Sequence, residues 1–213
     1  VAIVDPELMY SMPKGLTAAT GMDALTHAIE SYITPGAWVM SDMFELKAIE
    51  MIAQNLKAAV DNGKDVAARE AMSQAQYIAG MGFSNVGLGI VHSMAHPLGA
   101  FYDTPHGVAN ALLLPYVMEY NAESPAAPKY IHIAKAMGVD TTGMSEAEGV
   151  KAAIEAVKAL SISINIPQKL HEINVKEEDI PALAVAAFND VCTGGNPRPT
   201  SVADIEALYH KAF

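Results

Sequence analysis

Cysteine is nearly absent. The 213 residues hold one, Cys192, which excludes an internal disulfide framework and fits a reducing compartment, so the expected location is cytoplasmic. Positive charge is scarce as well: 13 Lys and Arg against 24 Asp and Glu give a net charge of −11 at pH 7, which excludes a basic nucleic-acid-binding surface. Long hydrophobic runs are missing. The apolar stretch at 180–188 is far below the roughly 20 residues that cross a bilayer, and no basic segment leads into an apolar one as in a secretion signal. Neither nucleic acid nor membrane is therefore an expected partner. Strand-like runs are almost lacking too, since only Val1-Ala2-Ile3-Val4 qualifies and no second strand stands near it. With Val rather than Met at position 1, the chain reads as the back half of something longer. What is present, 51% hydrophobic and 17% charged residues, suffices for one globular core.

The remaining pattern is helical. Apolar positions at helical spacing predict a helix over about 16–33, stopped by Thr34-Pro35-Gly36. Ser41 is expected to cap a second, whose Leu46, Ile49, Ala53, Leu56 and Val60 form one stripe closed by Asn62-Gly63. A third is predicted over 65–81. Ser145-Glu-Ala-Glu148 reads as a capping box opening a helix to about 160, and Ser124-Pro125 and Ser201 mark further starts. No repeat or linker interrupts the series. The expectation is one all-α, bundle-like domain over residues 1–213, with the twelve methionines filling an irregular core.

Histidine carries the functional signal. Of His27, His92, His96, His106, His132, His171 and His210, four fall in two short segments. In the first, Asp23 and His27 are four apart, one turn along a single helix face, and Thr20 and Glu30 extend that polar stripe. Alone, this pattern equally describes a solvated helix face. In the second, His92 and His96 repeat the spacing that lets two imidazoles of one helix bind one metal. Pro97 and Gly99 are expected to weaken that helix, and Thr104-Pro105 to open the next, with His106 in its first turn aimed back toward the break. Three imidazoles in an apolar stretch are costly to bury without partners; the alternative is a set of individually hydrogen-bonded core histidines. One carboxylate with three or four imidazoles suits zinc or ferrous iron and not Mg²⁺ or Ca²⁺, which want oxygen ligands. Spacing alone does not separate His96 from the ligands.

Asp5-Pro6, Pro13, Gly21-Met-Asp23 with His27 and Glu30, His92-Ser-Met-Ala-His96, Gly99-Ala100 and Asp103-Thr-Pro-His106-Gly107 together resemble the two signature stretches of the iron-containing (group III) alcohol dehydrogenases. Cys192-Thr-Gly-Gly-Asn-Pro-Arg198 is similar to that family's C-terminal stretch. The resemblance implies a dehydroquinate synthase-like helical C-terminal domain in which Asp23, His27, His92 and His106 bind Fe²⁺, or Zn²⁺ in some members. It implies that His96 is a non-ligand near the nicotinamide, placed to relay protons. Phe83 would lie by the nicotinamide ring, or simply pack the core beneath a glycine-bearing turn, and Cys192 would line the substrate pocket. His132, His171 and His210 match no motif. His96-Pro97-Leu98-Gly99-Ala100 looks closest to the lactaldehyde reductase branch, which implies NAD(P)-linked interconversion of small alcohols or diols and aldehydes.

The family's N-terminal α/β dinucleotide-binding domain has no counterpart in these residues. Gly80-Met-Gly-Phe-Ser-Asn85 is not G-x-G-x-x-G, and it follows a helix where that fingerprint needs a strand. Residues 1–5 are expected to be the remnant last strand of such a domain, leaving a truncated chain that holds the metal and is inactive alone. Two other classes stay open: a metal-dependent lyase or hydrolase using a metal-bound water, as in the related zinc-using dehydroquinate synthases, and a non-catalytic helical binding module. The sequence leaves room for a homo-oligomer.

Overall fold

The computed structural model describes residues 2–213, and the described residues form helices joined by turns and loops, with no strand. The expected strand at 1–5 is not formed: residues 2–5 run without a sheet partner into a 3-10 turn at Pro6–Met9, Ile3 is 90% exposed, and Val1 lies outside the described residues. A lone extended segment has nowhere to place its ladder hydrogen bonds. Nine α-helices follow: α1 Lys14–Ile33, α2 Val39–Asp61, α3 Val66–Val86, α4 Ile90–Tyr102, α5 His106–Asn121, α6 Tyr130–Ala136, α7 Glu146–Ser163, α8 Ile180–Phe188 and α9 Val202–Ala212.

Helix α1 is the axis of the domain. Its 14 buried residues cover nearly every face, the pattern of a helix enclosed by neighbours rather than laid on a surface. α2, α3 and α5 pack on it, α4 bridges α5 to α8, and α9 packs on α8 and α5. Met22, Leu25, Ile29, Ile49, Ile52 and Leu56 are fully enclosed where α1 meets α2. The capping boxes at Ser145/Glu148 and Ser201/Asp204 form, opening α7 and α9, whereas Ser124 closes a turn ahead of a 3-10 segment and α6.

Several boundaries depart from the sequence reading. α2 starts at Val39, and Ser41 is its third residue, where its hydroxyl accepts from the Trp38 N–H at 3.0 Å. α3 continues to Val86, so Gly80–Asn85 is helix and not a turn. Gly82 is needed there because a Cβ would fall 1.9 Å from Glu45 Oε1 on α2. α4 passes through Pro97 unbroken and ends only at Asp103, in the left-handed region at φ 53°. Proline at 97 leaves the Ser93 carbonyl without its ladder donor and crowds the preceding turn, but the helix is buried on both sides of it, and the buried Tyr209 hydroxyl ties the neighbouring Met94 carbonyl to α9 at 2.6 Å. α5 takes Pro105, not Thr104, as the residue before its first turn, and His106 opens it.

Gly107 lets α5 cross α1 backbone to backbone. A Cβ there would sit 2.4 Å from the Ala19 carbonyl oxygen, and main chain cannot step aside as a side chain can. Gly107→Ala is therefore expected to cost about 1–3 kcal/mol of stability, read by urea unfolding. An unchanged midpoint would mean that the two helices are not held this close.

Candidate metal centre

Three helices aim their polar residues at one point. α1 carries Asp23, His27 and Glu30 on a single face, α4 brings His92 and His96, and the first turns of α5 bring His106 and Asn110. One ligand atom each from Asp23, His27 and His92 lies within 4.8 Å of the other two. His106 stands at the rim of this cluster, its Nε2 3.5 Å from Asp23 Oδ1 and its ring centroid 5.3 Å from that of His92. Asn110 ties the rim to the centre, its Nδ2 donating to Asp23 Oδ1 at 2.6 Å and reaching His106 Nε2 at 3.0 Å.

The tautomers follow from what each ring nitrogen meets. His27 Nδ1 lies 2.8 Å from the Asp23 backbone carbonyl, and His92 Nδ1 lies 2.5 Å from Glu30 Oε2. Both partners accept, so both Nδ1 atoms carry the proton and both Nε2 atoms present lone pairs. Those two Nε2 atoms face each other at 3.1 Å. Bare lone pairs repel at that distance, and a shared proton or a cation bound between them relieves the repulsion. Burial, aided by the neighbouring His92, holds the His27 imidazole below its ordinary value, and burial lowers His106 also. The neutral rings are the ligating form. By the chemistry of its donors the site fits a borderline divalent cation.

Glu30 was legible as part of a polar stripe and of a signature stretch, in neither case as a partner of His92, yet it is 2% exposed and fixes His92. Its second oxygen accepts from the Val91 N–H at 2.7 Å, so it anchors the start of α4 as well as the ring. Gly89 allows that approach, since a Cβ there would come within 2.8 Å of Glu30 Oε1. The signal for Glu30 is the need of a ligating imidazole for an acceptor on its other nitrogen. For Asn110 it is the four-residue spacing from His106.

The remaining candidates surround the cluster. His96, one turn after His92, directs Nδ1 to Asp190 Oδ2 at 2.7 Å, while its ring stacks on His106 with centroids 5.4 Å apart. Phe83, on α3, lies against the His27 ring at 4.5 Å. Cys192 is half-buried beside Asp190 and His96; burial, with the Asp190 charge, pushes its thiol up to about 12. A cavity of about 450 Å³ opens beside Asp23 and His27, walled by Met12, Thr20, Met72 and Phe83. His132 is exposed, His171 bonds the Phe213 carbonyl, and His210 lies near Glu177, so none of the three joins the site.

Comparison with known proteins gives the family of the chain. Residues 17–213 match the C-terminal part of the Fe-containing alcohol dehydrogenase family. Lactaldehyde reductase of Escherichia coli (strain K12) is 59% identical over 213 residues, which is all of this chain and 55% of that protein. The 1,3-propanediol dehydrogenase of Klebsiella pneumoniae is 47% identical over 213 residues, again 100% of this chain and 55% of the relative. A crystal structure of a 1,3-propanediol oxidoreductase superposes with a TM-score of 0.96 at 47% identity, over 98% of this chain and 55% of the other. The chain thus spans about half the length of the curated relatives it matches. The family description names iron, and none of these comparisons supports the zinc alternative. Matched over residues 17–213, and aligned along its whole length with alcohol dehydrogenases, this chain belongs to the Fe-containing alcohol dehydrogenase family.

Proposed function

We propose that Asp23, His27, His92 and His106 hold Fe²⁺, and that residues 1–213 form the metal- and substrate-binding domain of an NAD(P)-linked dehydrogenase of the lactaldehyde/1,2-propanediol type. The observation that carries the reading is the pair of facing Nε2 lone pairs of His27 and His92, 3.1 Å apart beside a carboxylate. Bound there, the metal supplies Lewis-acid polarisation of a substrate oxygen. Glu30 keeps the His92 lone pair directed inward, and Asn110 restrains Asp23 and His106. Met12, Met72 and Phe83 give the adjoining cavity an apolar wall beside its polar one, favouring a small alcohol or aldehyde and the nicotinamide face that exchanges hydride with it. His96 takes the proton of the alcohol, and Cys192 lines the substrate side. The substrate class rests on the 59% identity to lactaldehyde reductase.

The test joins this chain to the part of E. coli lactaldehyde reductase that lies outside the matched region. Loaded anaerobically with Fe²⁺, the joined protein is expected to reduce NAD with 1,2-propanediol. The 213 residues alone are expected to give negligible turnover, because they contain no glycine-rich strand-turn-helix to anchor a dinucleotide, and proximity contributes about 7–11 kcal/mol of barrier lowering. Equal turnover by the 213 residues would overturn that half of the proposal. An iron-loaded joined protein that never reduces nicotinamide would overturn the dehydrogenase reading and favour a hydrolytic or non-catalytic role.

A further inference from the structure

Asp190, from the loop after α8, and His96, on α4, are 94 residues apart in sequence and share a 2.7 Å hydrogen bond. The carboxylate is itself built in. Its Oδ1 accepts from the Cys192 N–H at 2.9 Å, and its own N–H donates to the Ala187 carbonyl at 3.1 Å. Thr193 extends the anchorage, its hydroxyl lying 2.8 Å from both Ser93 Oγ on α4 and the Ala187 carbonyl. The loop that carries Asp190 is thereby locked to the helix that carries His96. Burial alone would raise the Asp190 carboxyl, but the Cys192 N–H and then His96 bring it below the usual carboxylate range, so it is an acceptor only.

His96, Asp190 and Cys192 also bring three ligand-type atoms within 4.8 Å of one another. A second metal there is the weaker assignment, because both Asp190 oxygens are already engaged and the Cys192 thiol is held protonated.

We infer that Asp190 is a positioning residue that fixes His96 as its Nδ1–H tautomer and so presents a bare Nε2 to the substrate side of the metal centre. No protein group bonds that Nε2 among the described residues, and the ring plane is held within 15° of parallel to His106, at the rim of the cluster. The alcohol proton moves to the Nε2 lone pair, and the imidazolium so formed keeps its Nδ1–H on a full negative charge, which lowers the cost of creating it. This rests on the proton-relay reading of His96 given above. An asparagine in place of Asp190 would turn its amide donor toward Nδ1 and select the opposite tautomer, leaving Nε2 protonated and unable to accept.

Two-bond proton–nitrogen correlations on the ¹⁵N-histidine-labelled, metal-free chain read the tautomer without any turnover. His96→Gln identifies the His96 signals by their loss. In the wild type, His96 is expected to be Nδ1–H; in Asp190→Asn it is expected to be predominantly Nε2–H, with the His171 and His210 signals unmoved. Asp190→Ala, which removes the acceptor without supplying a donor, serves if the Asn variant does not fold, and should also lose the Nδ1–H preference. A wild-type Nε2–H form, or the same tautomer in wild type and variants, would overturn the inference. In the joined enzyme, Asp190→Asn is expected to lower kcat at least tenfold with little change in KM. A shifted tautomer with unchanged kcat would overturn the catalytic half alone, whereas an inactive joined enzyme bears on the dehydrogenase reading and leaves the tautomer result standing.

Discussion

His92→Ala is expected to abolish Fe²⁺ binding, while His96→Ala largely spares it. The two residues are one helical turn apart on α4 and share a residue type, so spacing alone treats them alike. The structure gives them different partners: His92 Nε2 faces His27 Nε2 at 3.1 Å, whereas His96 spends Nδ1 on Asp190 at 2.7 Å. Glu30→Gln is expected to fall between them, weakening the metal by about 10–100-fold, the usual cost of losing a partner that orients a ligating imidazole. Anaerobic metal titration followed by elemental analysis measures all three. Loss of equal size in His92→Ala and His96→Ala would show that the ligand set is misassigned. Because an ion held by Asp23, His27, His92 and His106 would tie α1 to α4 and α5, Fe²⁺ at a hundredfold excess over its dissociation constant should also stabilise the chain by about 2.7 kcal/mol. An unmoved melting curve would count against a preformed site.

The second large effect lies away from the site. Glu45, on α2, is fully buried, and neither carboxyl oxygen has a hydrogen-bond partner. The Ser31 hydroxyl nearby donates instead to the His27 carbonyl at 2.5 Å. Burial, opposed by Ser31 and reinforced by the Asp42 charge, pushes the carboxyl up to about 8. The unfolded chain ionises this group near its ordinary 4.5, so between those values unfolding releases a proton that the folded protein keeps. Stability from this group is complete below about pH 4.5 and is lost as pH rises through 8. At about 1.4 kcal/mol per unit, the loss between pH 5 and pH 8 is on the order of 4 kcal/mol. Glu45→Gln keeps the shape and removes the charge. Its stability relative to wild type is expected to grow by that amount from pH 5 to pH 8, measured by urea unfolding at each pH. Parallel curves for the two proteins would show that Glu45 is solvated or paired in the folded state.

Helix identity was legible because it depends on neighbours three and four residues away. The caps at Ser145 and Ser201 and the placement of His106 in a first turn were read from residues within a few positions of each other. Glycine and proline were misjudged where tertiary contacts decide. Gly82 was read as a turn signal, but it is the contact point that lets α3 lie against Glu45. Pro97 was read as a break, but α4 is buried on both sides of it and is tied to α9 by the Tyr209 hydroxyl on the Met94 carbonyl.

For the site, the sequence by itself determined the candidate donors: residue types at i, i+4 spacing on α1 and α4 and at the start of α5, and the motif order that resembles iron-containing alcohol dehydrogenases. Only the tertiary structure decided how those donors are aimed. Glu30 reaches His92 across 62 residues and Asp190 reaches His96 across 94, and contacts at such separations leave no period in the chain. Which nitrogen of each imidazole carries its proton is set by the acceptor that packing delivers to the other side of the ring. That acceptor is the Asp23 carbonyl for His27, Glu30 for His92 and Asp190 for His96, and only the last two come from elsewhere in the fold.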